Sequence, residues 1–357
     1  MSKNPKRIGI LTAGGDCPGL NAAIRGIAKS AMLEYGMEVV GIRGGFAGLR
    51  EPDTFELDDA NTSGILTRGG TILGTSRVPP FGEVEEKRAL ESDYKTPFQQ
   101  HYERLGLDCL VCLGGNGTMT AAHILQRMGM NVVGLPKTID NDLAATDVTF
   151  GFRSACQIAS DAIDRIHTTA QSHHRVMVVE VMGRDAGWLA LEAGVSGGGD
   201  VILIPEIPYR IEAVADYIRE RHRRGKPLSL VILAEGARAA DSENNGNLGK
   251  GAPKFSKAHS LAQELEDATR MQTRVSVLGY IQRGGSPVQF DRVLATTLGV
   301  RATELIVEGR FGEMVAVDNN DITSVPLERV AGRTRLVPPD HHLVKAAKKI
   351  WTCFGDE

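Results

Sequence analysis

The stretch LVCLGGNGTMTAAH, residues 110–123, joins an apolar run to a helical pattern through two glycines, an asparagine, a third glycine and a threonine. Glycines let the backbone amides at the start of a helix approach an anion closely, and the helix dipole favours negative charge there. A tight turn that binds no ligand has the same pattern, because short connections between a strand and a helix are common. The stretch therefore predicts a strand–turn–helix unit, and phosphate binding is one of its two interpretations.

Short apolar runs alternate with helical patterns along almost the whole chain. Predicted strands cover residues 7–11, 38–42, 108–113, 131–135, 175–181, 201–204, 228–233 and 274–278. Predicted helices cover residues 20–32, 118–128, 153–170, 188–195, 211–223, 261–269 and 290–307, and a short basic helix over 342–351 belongs to a C-terminal tail. This alternation predicts an α/β fold with mostly parallel sheets and helices on both faces. Ligands of such folds bind beyond the carboxyl ends of the strands.

Composition excludes several classes of function. The 357 residues carry 41 basic and 44 acidic side chains, and this net charge of −3 argues against general binding to nucleic acid. No signal peptide and no apolar run of about 18 residues is recognisable, so no membrane attachment is expected. An odd number of cysteines, five, indicates free thiols and a cytoplasmic location. Cys109 and Cys112 form a C-x-x-C, but they lie in an apolar strand where residues three apart face opposite ways.

A second glycine turn, Gly14-Gly15-Asp16, also follows a predicted strand, although neither the P-loop nor the dinucleotide fingerprint occurs. After another strand comes PKTIDND, residues 136–142, with a threonine, a lysine and two carboxylates. Phosphoryl transfer needs such groups, although a polar loop with an Asx turn fits equally well. Five arginines lie at strand or loop ends, where guanidinium groups bind phosphate well, although for any one of them alone a solvated or ion-paired role is the more common one. They are Arg77, Arg175, Arg184, Arg274 and Arg283.

Seven motifs occur together in one order: GGDCPGLNAAIRG, GGTILGTSR, GGNGT, PKTIDND, VVEVMGR, AEG and LGYIQRGGSPVQFDR. The set resembles the 6-phosphofructokinase family over nearly the full chain. The resemblance implies two doubly wound α/β lobes with the active site in the cleft, and an enzyme that phosphorylates the 1-hydroxyl of fructose 6-phosphate in glycolysis. Residues 1–151 plus about 284–332 are expected to form the donor-phosphate lobe, and residues 152–283 plus about 333–357 the sugar-phosphate lobe.

The resemblance also assigns roles to individual residues. Asp140 is expected to take the proton from the acceptor hydroxyl, Thr138 to position the transferred phosphoryl group, and Arg77 and Arg184 to steady its charge. The expected ATP-binding residues are Gly15, Phe46 (stacked on adenine), Arg77, Val78, Gly115, Asn116, Gly117 and Thr118. The expected substrate-binding residues are Thr138, Ile139, Asp140, Arg175, Met182, Gly183, Arg184, Glu235, Arg274, Tyr280 and Arg283. Arg175 and Arg274 are expected to come from a neighbouring subunit of a homodimer or homotetramer.

Two residues bear on the phosphoryl donor, and a third on the metal. Gly117 replaces the aspartate of pyrophosphate-using members and leaves space for the α-phosphate of ATP, whereas Lys137 is the residue that pyrophosphate enzymes carry. Because steric exclusion is harder to evade than a flexible cation, ATP is the favoured donor. Asn116 stands where the family normally has an acidic Mg²⁺ ligand. A neutral oxygen is a weaker ligand than a carboxylate, which predicts a weaker Mg²⁺ dependence.

Other readings remain open from the sequence. A pyrophosphate-dependent phosphofructokinase is favoured by Lys137 and opposed by Gly117, and an ADP-dependent one is a further alternative. A non-catalytic regulatory protein of the same fold is suggested only by Asn116. Other nucleotide-dependent kinases, such as those acting on NAD, share the GG-x-GT turn but lack PKTIDND and LGYIQRGG.

Overall fold

The computed structural model describes residues 6–78, 80–82, 87, 95–240 and 256–356. The chain forms two compact units. Unit 1 comprises Met1–Ser154 and Arg283–Arg335, and unit 2 comprises Ala155–Gln282 and Leu336–Glu357. The polar segment DSENNGNLGKGAP, which the sequence suggests is an exposed loop, lies outside the described residues. Within the described residues, no helix is both long and apolar enough to cross a membrane.

Unit 1 is built on a seven-stranded sheet in the order β11-β10-β5-β4-β1-β2-β3. Its strands are β1 Arg7–Thr12, β2 Glu38–Ile42, β3 Thr54–Leu57, β4 Cys109–Gly114, β5 Val132–Pro136, β10 Glu313–Asp318 and β11 Asp321–Pro326. The five inner strands are parallel, and β3 and β11 pair antiparallel at the two edges. β4 is buried along its whole length, as expected for a strand covered on both faces.

The helices of unit 1 are α1 Leu20–Tyr35, α2 Phe46–Arg50, α3 Asp59–Thr62, α4 Pro97–Arg104, α5 Asn116–Arg127 and α10 Gln289–Val307. α1 and α10 pack with their backbones in close contact at two glycines. A Cβ on Gly26 would lie 2.7 Å from the Thr296 carbonyl oxygen, and one on Gly299 would lie 2.8 Å from the Ala23 carbonyl oxygen. Only glycine permits this approach, which fixes the helix that follows the first glycine turn.

Unit 2 contains a four-stranded, fully parallel sheet in the order β7-β8-β6-β9. The strands are β6 Val176–Val181, β7 Val201–Leu203, β8 Ser229–Ala234 and β9 Thr273–Val277. The helices are α7 Trp188–Ser196, α8 Ile211–Arg223, α9 Lys257–Thr269 and the C-terminal α11 His342–Lys349, while α6 Phe152–His173 precedes β6. After α11 the tail extends the sheet edge, because the Ile202 amide donates to the Cys353 carbonyl at 2.9 Å.

The predicted α/β class with mostly parallel sheets is confirmed, and each predicted strand and helix occurs with its ends shifted by a few residues. The sequence interpretation missed β3, β10 and β11, and the short helices α2, α3 and α4. Cys109 and Cys112 lie in the predicted strand and are fully buried as free thiols. Burial raises the pKa of both, so neither is prepared for redox or metal chemistry.

One buried carboxylate holds the start of α10 in unit 1. Asp291 is fully buried, and its Oδ2 accepts hydrogen bonds from the Ser154 amide at 2.7 Å and from Ser154 Oγ at 2.6 Å. Asp291→Ala is expected to leave both donors unsatisfied and to lower the free energy of unfolding by about 1–3 kcal/mol. Urea denaturation monitored by circular dichroism measures this. The control is Asp164→Ala on the exposed face of α6, and an equal effect of both substitutions would contradict the prediction.

Candidate functional site

The site of unit 1 lies where three neighbouring parallel strands end. β5, β4 and β1 are adjacent in the sheet, and each is followed by one of the motifs noted in the sequence. The first glycine turn follows β1, the second follows β4, and the PKTIDND segment begins at the end of β5. Parallel neighbours end at the same edge of a sheet, so topology brings together three segments that are about 100 and 20 residues apart in the chain.

The first glycine turn is surrounded by positive charge. Arg283 Nη1 donates to the Asp16 carbonyl oxygen at 3.1 Å. A Cβ on Gly15 would lie 2.5 Å from Arg283 Nη1 and 3.3 Å from Arg77 Nη2. Gly15 is therefore needed so that two guanidinium groups can lie against the turn, and this arrangement suits an anion. Arg283, which the sequence assigns to the sugar phosphate, lies at this turn in unit 1.

The second glycine turn leads directly into α5. A Cβ on Gly114 would lie 2.0 Å from Thr118 Oγ1, so the turn closes tightly over a threonine in the first turn of the helix. Gly117 is exposed in the first turn of α5, and no atom of the described part of the chain lies within 4 Å of a Cβ built there. The amides at this helix end, with an open space beside them, form a suitable cradle for phosphate.

Asn116 lies next to Asp142, one of the two carboxylates of PKTIDND, which the sequence analysis did not name as a metal ligand. Asn116 Nδ2 donates to Asp142 Oδ2 at 2.9 Å, and Asn116 Oδ1 is buried without a hydrogen-bond donor in the described part of the chain. These oxygens are hard ligands of the kind that Mg²⁺ prefers. Among the described residues, no group of three or more His, Cys, Asp or Glu side chains is arranged so that it could hold a metal ion. The protein ligands therefore fit a Mg²⁺ ion that phosphate oxygens also hold.

The PKTIDND segment is held in a defined conformation by residues downstream. Asn141 has a positive φ of 51°, and its Oδ1 accepts from the Thr149 amide at 3.0 Å. Thr149 Oγ1 donates to the Thr138 carbonyl oxygen at 2.7 Å, and the Asp140 amide donates to Thr138 Oγ1 at 3.1 Å. Ile139 is fully buried beneath the segment. No local sequence pattern indicates this role of Thr149, because its partners are 8 and 11 residues away.

In unit 2, the predicted sugar-phosphate residues gather at the carboxyl ends of β6 and β8. Met182 and Gly183 follow β6, and Glu235 follows β8, with its amide donating to the Val181 carbonyl oxygen at 3.0 Å. A Cβ on Gly236 would lie 1.7 Å from the Arg184 carbonyl oxygen, so glycine is required where these two segments meet. The side chain of Arg184 is exposed, and so is that of Tyr280 in the 3-10 helix Gly279–Arg283.

Arg175 and Arg274 lie at the other end of the same sheet. Arg175 precedes β6, and Arg274 pairs with Met177 near the start of that strand. With a rise of about 3.3 Å per residue, roughly 20 Å separates Arg175 from Met182. The structure therefore does not bring these two arginines into the group formed by Met182, Gly183, Arg184 and Glu235 of the same chain.

Phe46 is placed differently from its predicted role. It belongs to the hydrophobic core of unit 1 and is only 4% exposed, so its ring is covered by the protein's own side chains. Stacking on adenine requires an exposed ring face, so the expected adenine-binding role of Phe46 is not part of the proposal below. Val78, by contrast, is 68% exposed directly after the exposed Arg77.

Known proteins are similar to this chain in both sequence and fold. A family model described as Phosphofructokinase matches residues 7–306. The ATP-dependent 6-phosphofructokinase 3 of Bacteroides thetaiotaomicron is 53% identical over 351 residues, which cover 98% of this chain and 100% of that relative. The ATP-dependent 6-phosphofructokinase of Spirochaeta thermophila is 51% identical over 358 residues, with 98% of both chains covered.

Solved structures of phosphofructokinases match the fold of this chain. The crystal structure of Pichia pastoris phosphofructokinase in the T-state matches with a TM-score of 0.77 and 32% identity over 92% of this chain, which spans only 35% of that longer chain. A pyrophosphate-dependent phosphofructokinase from Nitrosospira multiformis has a TM-score of 0.81 at 21% identity, covers 93% of this chain and 86% of its own, and shows the shared fold alone. Since the family model covers most of the chain and the relatives match it from end to end, the chain belongs to the phosphofructokinase family.

Proposed function

We propose that this protein transfers the terminal phosphoryl group of ATP to the 1-hydroxyl of fructose 6-phosphate, giving fructose 1,6-bisphosphate and ADP, a reaction of glycolysis. One observation carries the proposal: two glycine turns, two guanidinium groups and the Thr138–Asp140 segment meet at the ends of three adjacent strands. The family membership and the names of the relatives support the same activity.

The proposed chemistry assigns one task to each group. Asp140 accepts the proton of the 1-hydroxyl. At the same time the hydroxyl oxygen of the sugar forms a bond to the terminal phosphorus, and the bond from that phosphorus to ADP breaks. Thr138 positions the phosphoryl group, and Arg77 and Arg184 offset the charge that develops on its oxygens. Gly15, Gly115 and Thr118 lie against the donor phosphates through backbone and hydroxyl donors. Met182, Gly183, Glu235, Tyr280 and Arg283 hold the sugar phosphate.

Gly117 supports ATP as the donor in preference to pyrophosphate. Among the described residues, no atom lies within 4 Å of a Cβ at this residue, so none of their atoms occupies the space directly beside it. A carboxylate at the same place would face the α-phosphate and repel it. The ATP-dependent names of the two bacterial relatives support this choice.

Mg²⁺ is the metal that this activity implies, and Asn116 and Asp142 are the residues that would hold it together with the donor phosphates. When bound, the ion neutralises phosphate charge and orients the donor. Asn116 Nδ2 already donates to Asp142 Oδ2, and this bond keeps the carboxylate in place in the absence of a cation. The chain thus supplies one carboxylate and one neutral amide oxygen as metal ligands. A carboxylate in place of the amide would add negative charge at the ion.

Asn116→Asp is expected to strengthen the dependence on Mg²⁺. In the variant, the carboxylates of residues 116 and 142 would face each other where the 2.9 Å hydrogen bond now lies. Their repulsion destabilises the metal-free protein, and a bound cation relieves it. The half-saturating Mg²⁺ concentration is expected to fall roughly fivefold to tenfold, equivalent to about 1 kcal/mol of added charge attraction. The measurement is the initial rate against free Mg²⁺, together with the thermal midpoint with and without the ion. Asn131→Asp is the control, and an unchanged Mg²⁺ requirement in Asn116→Asp would refute this account.

A shared site between subunits follows from the two distant arginines. Because Arg175 and Arg274 lie at the end of the sheet opposite to Met182 and Glu235, they reach a sugar 6-phosphate only in another copy of the chain. We therefore include a homodimer or homotetramer in the proposal. Mixing Arg274→Ala subunits with Glu235→Ala subunits tests it, since mixed oligomers regain some intact sites whereas independent monomers stay inactive.

The decisive test of the activity is a comparison of donors. Initial rates with fructose 6-phosphate are measured with ATP, ADP and pyrophosphate at equal Mg²⁺, and the product is identified by its consumption in an aldolase-coupled assay. Activity with ATP that exceeds the other two supports the proposal. A preference for pyrophosphate would favour the alternative that Lys137 suggests, and no transfer from any donor would favour a regulatory protein.

A further inference from the structure

Lys137 is buried at the centre of the unit 1 site and makes a contact that the donor-specificity interpretation does not foresee. Its side chain is 3% exposed, and its Nζ donates a hydrogen bond to the carbonyl oxygen of Gly15. Its backbone amide donates to the Gly114 carbonyl oxygen at 3.1 Å. One residue at the end of β5 is therefore bonded to both glycine turns, the one after β1 and the one after β4.

Sheet geometry explains why a long side chain is needed for this contact. β5 and β1 are not neighbours, because β4 lies between them, and two strand spacings amount to roughly 10 Å. A lysine stem crosses most of that distance and still ends in a donor. The residue before the Thr-Ile-Asp sequence thus connects the outer strands of the three that carry the site.

The Lys137 ammonium is surrounded by the protein's own groups. Burial is the main cause that lowers its pKa, and the nearby Arg283 guanidinium acts in the same direction. The thiol of Cys17 lies close by, and burial raises its pKa to about 12, so that sulfur is neutral and gives little compensation at neutral pH. The Gly15 carbonyl oxygen accepts one of the three N–H donors of this buried ammonium, and the negative charges of Asp140 and Asp16 act against the lowering of its pKa.

From these contacts, we infer that Lys137 is a positioning residue that ties the Gly14–Asp16 turn to the end of β5, and that it does not select between phosphoryl donors. The inference rests on the proposed function for its catalytic consequences. The tether holds the turn beside the guanidinium groups of Arg77 and Arg283. A free Gly14–Asp16 turn would have to be ordered each time a donor binds, which weakens binding of ATP and pyrophosphate alike.

The test combines a measurement without ligand and one with donors. Lys137→Met keeps the volume and removes the donor, and Lys137→Gly removes the side chain altogether. Lys29→Met, which removes an ion pair between Lys29 of α1 and Asp59 of α3, is the control. In the ligand-free protein, hydrogen exchange of the peptide covering residues 12–18 is expected to accelerate about tenfold in both Lys137 variants, as loss of a charge-assisted hydrogen bond implies. The KM for ATP is expected to rise by a similar factor, while the ratio of kcat/KM for ATP to that for pyrophosphate stays within threefold.

The outcomes separate this inference from the proposed function. Unchanged exchange of residues 12–18 in both variants, or a change of the donor ratio by more than tenfold, would overturn the tether. Exchange is measured without substrates, so it decides the tether even if the wild-type protein transfers no phosphoryl group to fructose 6-phosphate. That last result would reject the proposed function and leave the structural part standing.

Discussion

Asp140→Asn is expected to lower kcat for fructose 6-phosphate phosphorylation by about 10²-fold to 10⁴-fold, the range that a positioned general base contributes. Asparagine has nearly the same shape but cannot accept the hydroxyl proton. The hydrogen bond that places residue 140 runs from its backbone amide to Thr138 Oγ1. It does not involve the side chain of residue 140 and remains in the variant. The KM for fructose 6-phosphate is therefore expected to change much less than kcat.

The experiment compares steady-state kinetics of the wild type, Asp140→Asn and a control. Asp147→Asn is suitable, because Asp147 lies in the same loop region but is exposed, and its carboxylate accepts a hydrogen bond from the Asn319 amide at 2.7 Å. Dependence of kcat on pH adds a second reading, since the loss of a base removes the acidic limb of the profile. A kcat for Asp140→Asn within threefold of the wild type would mean that another group takes the proton.

The fold class followed from the sequence because its signal is repeated. Eight apolar runs alternate with helical patterns, and misplacing one boundary does not change the parallel α/β assignment. The glycine turns were recognisable for the same reason, since each lies at the end of a buried strand. The positions of these turns relative to each other follow from the strand order, which a single sequence does not reveal.

The missed elements are short or lie at sheet edges. The β10–β11 hairpin turns through Asn319 and Asn320, which both have positive φ, 50° and 71°. An Asn-Asn pair between the apolar runs EMVAV and ITSV is a hairpin signal that could have been recognised. β3 has only four residues, too few for its alternation to stand out.

Contacts across long stretches of chain were beyond local patterns. The Lys137–Gly15 bond joins residues 122 positions apart, and the Asn116–Asp142 bond joins residues 26 apart. Phe46 shows the opposite error, because a motif position suggested exposure to ligand while core packing buries the ring. Motifs identify which residues belong to a site, whereas packing decides which of their atoms are accessible.

Gly117→Asp is expected to lower kcat/KM for ATP by about 10²-fold to 10³-fold. A carboxylate in the cradle would face the α-phosphate, and such like-charge contacts cost several kcal/mol, with about 1.4 kcal/mol for each factor of ten. The protein itself tolerates the change, because a Cβ at Gly117 meets open space and an aspartate in the first turn of α5 suits the helix dipole. Pyrophosphate has no α-phosphate to meet the new carboxylate, so any activity with it is expected to fall far less.

Gly117→Ala is the matched control, because it adds the Cβ without the charge. Initial rates with ATP and pyrophosphate are compared for the wild type and both variants, and urea denaturation checks that each is folded. If repulsion at residue 117 governs donor choice, alanine stays close to the wild type while aspartate shifts the ATP-to-pyrophosphate ratio by at least a hundredfold. Equal losses in the two variants would show that added volume is what matters, and no loss in either would place the α-phosphate away from this helix end.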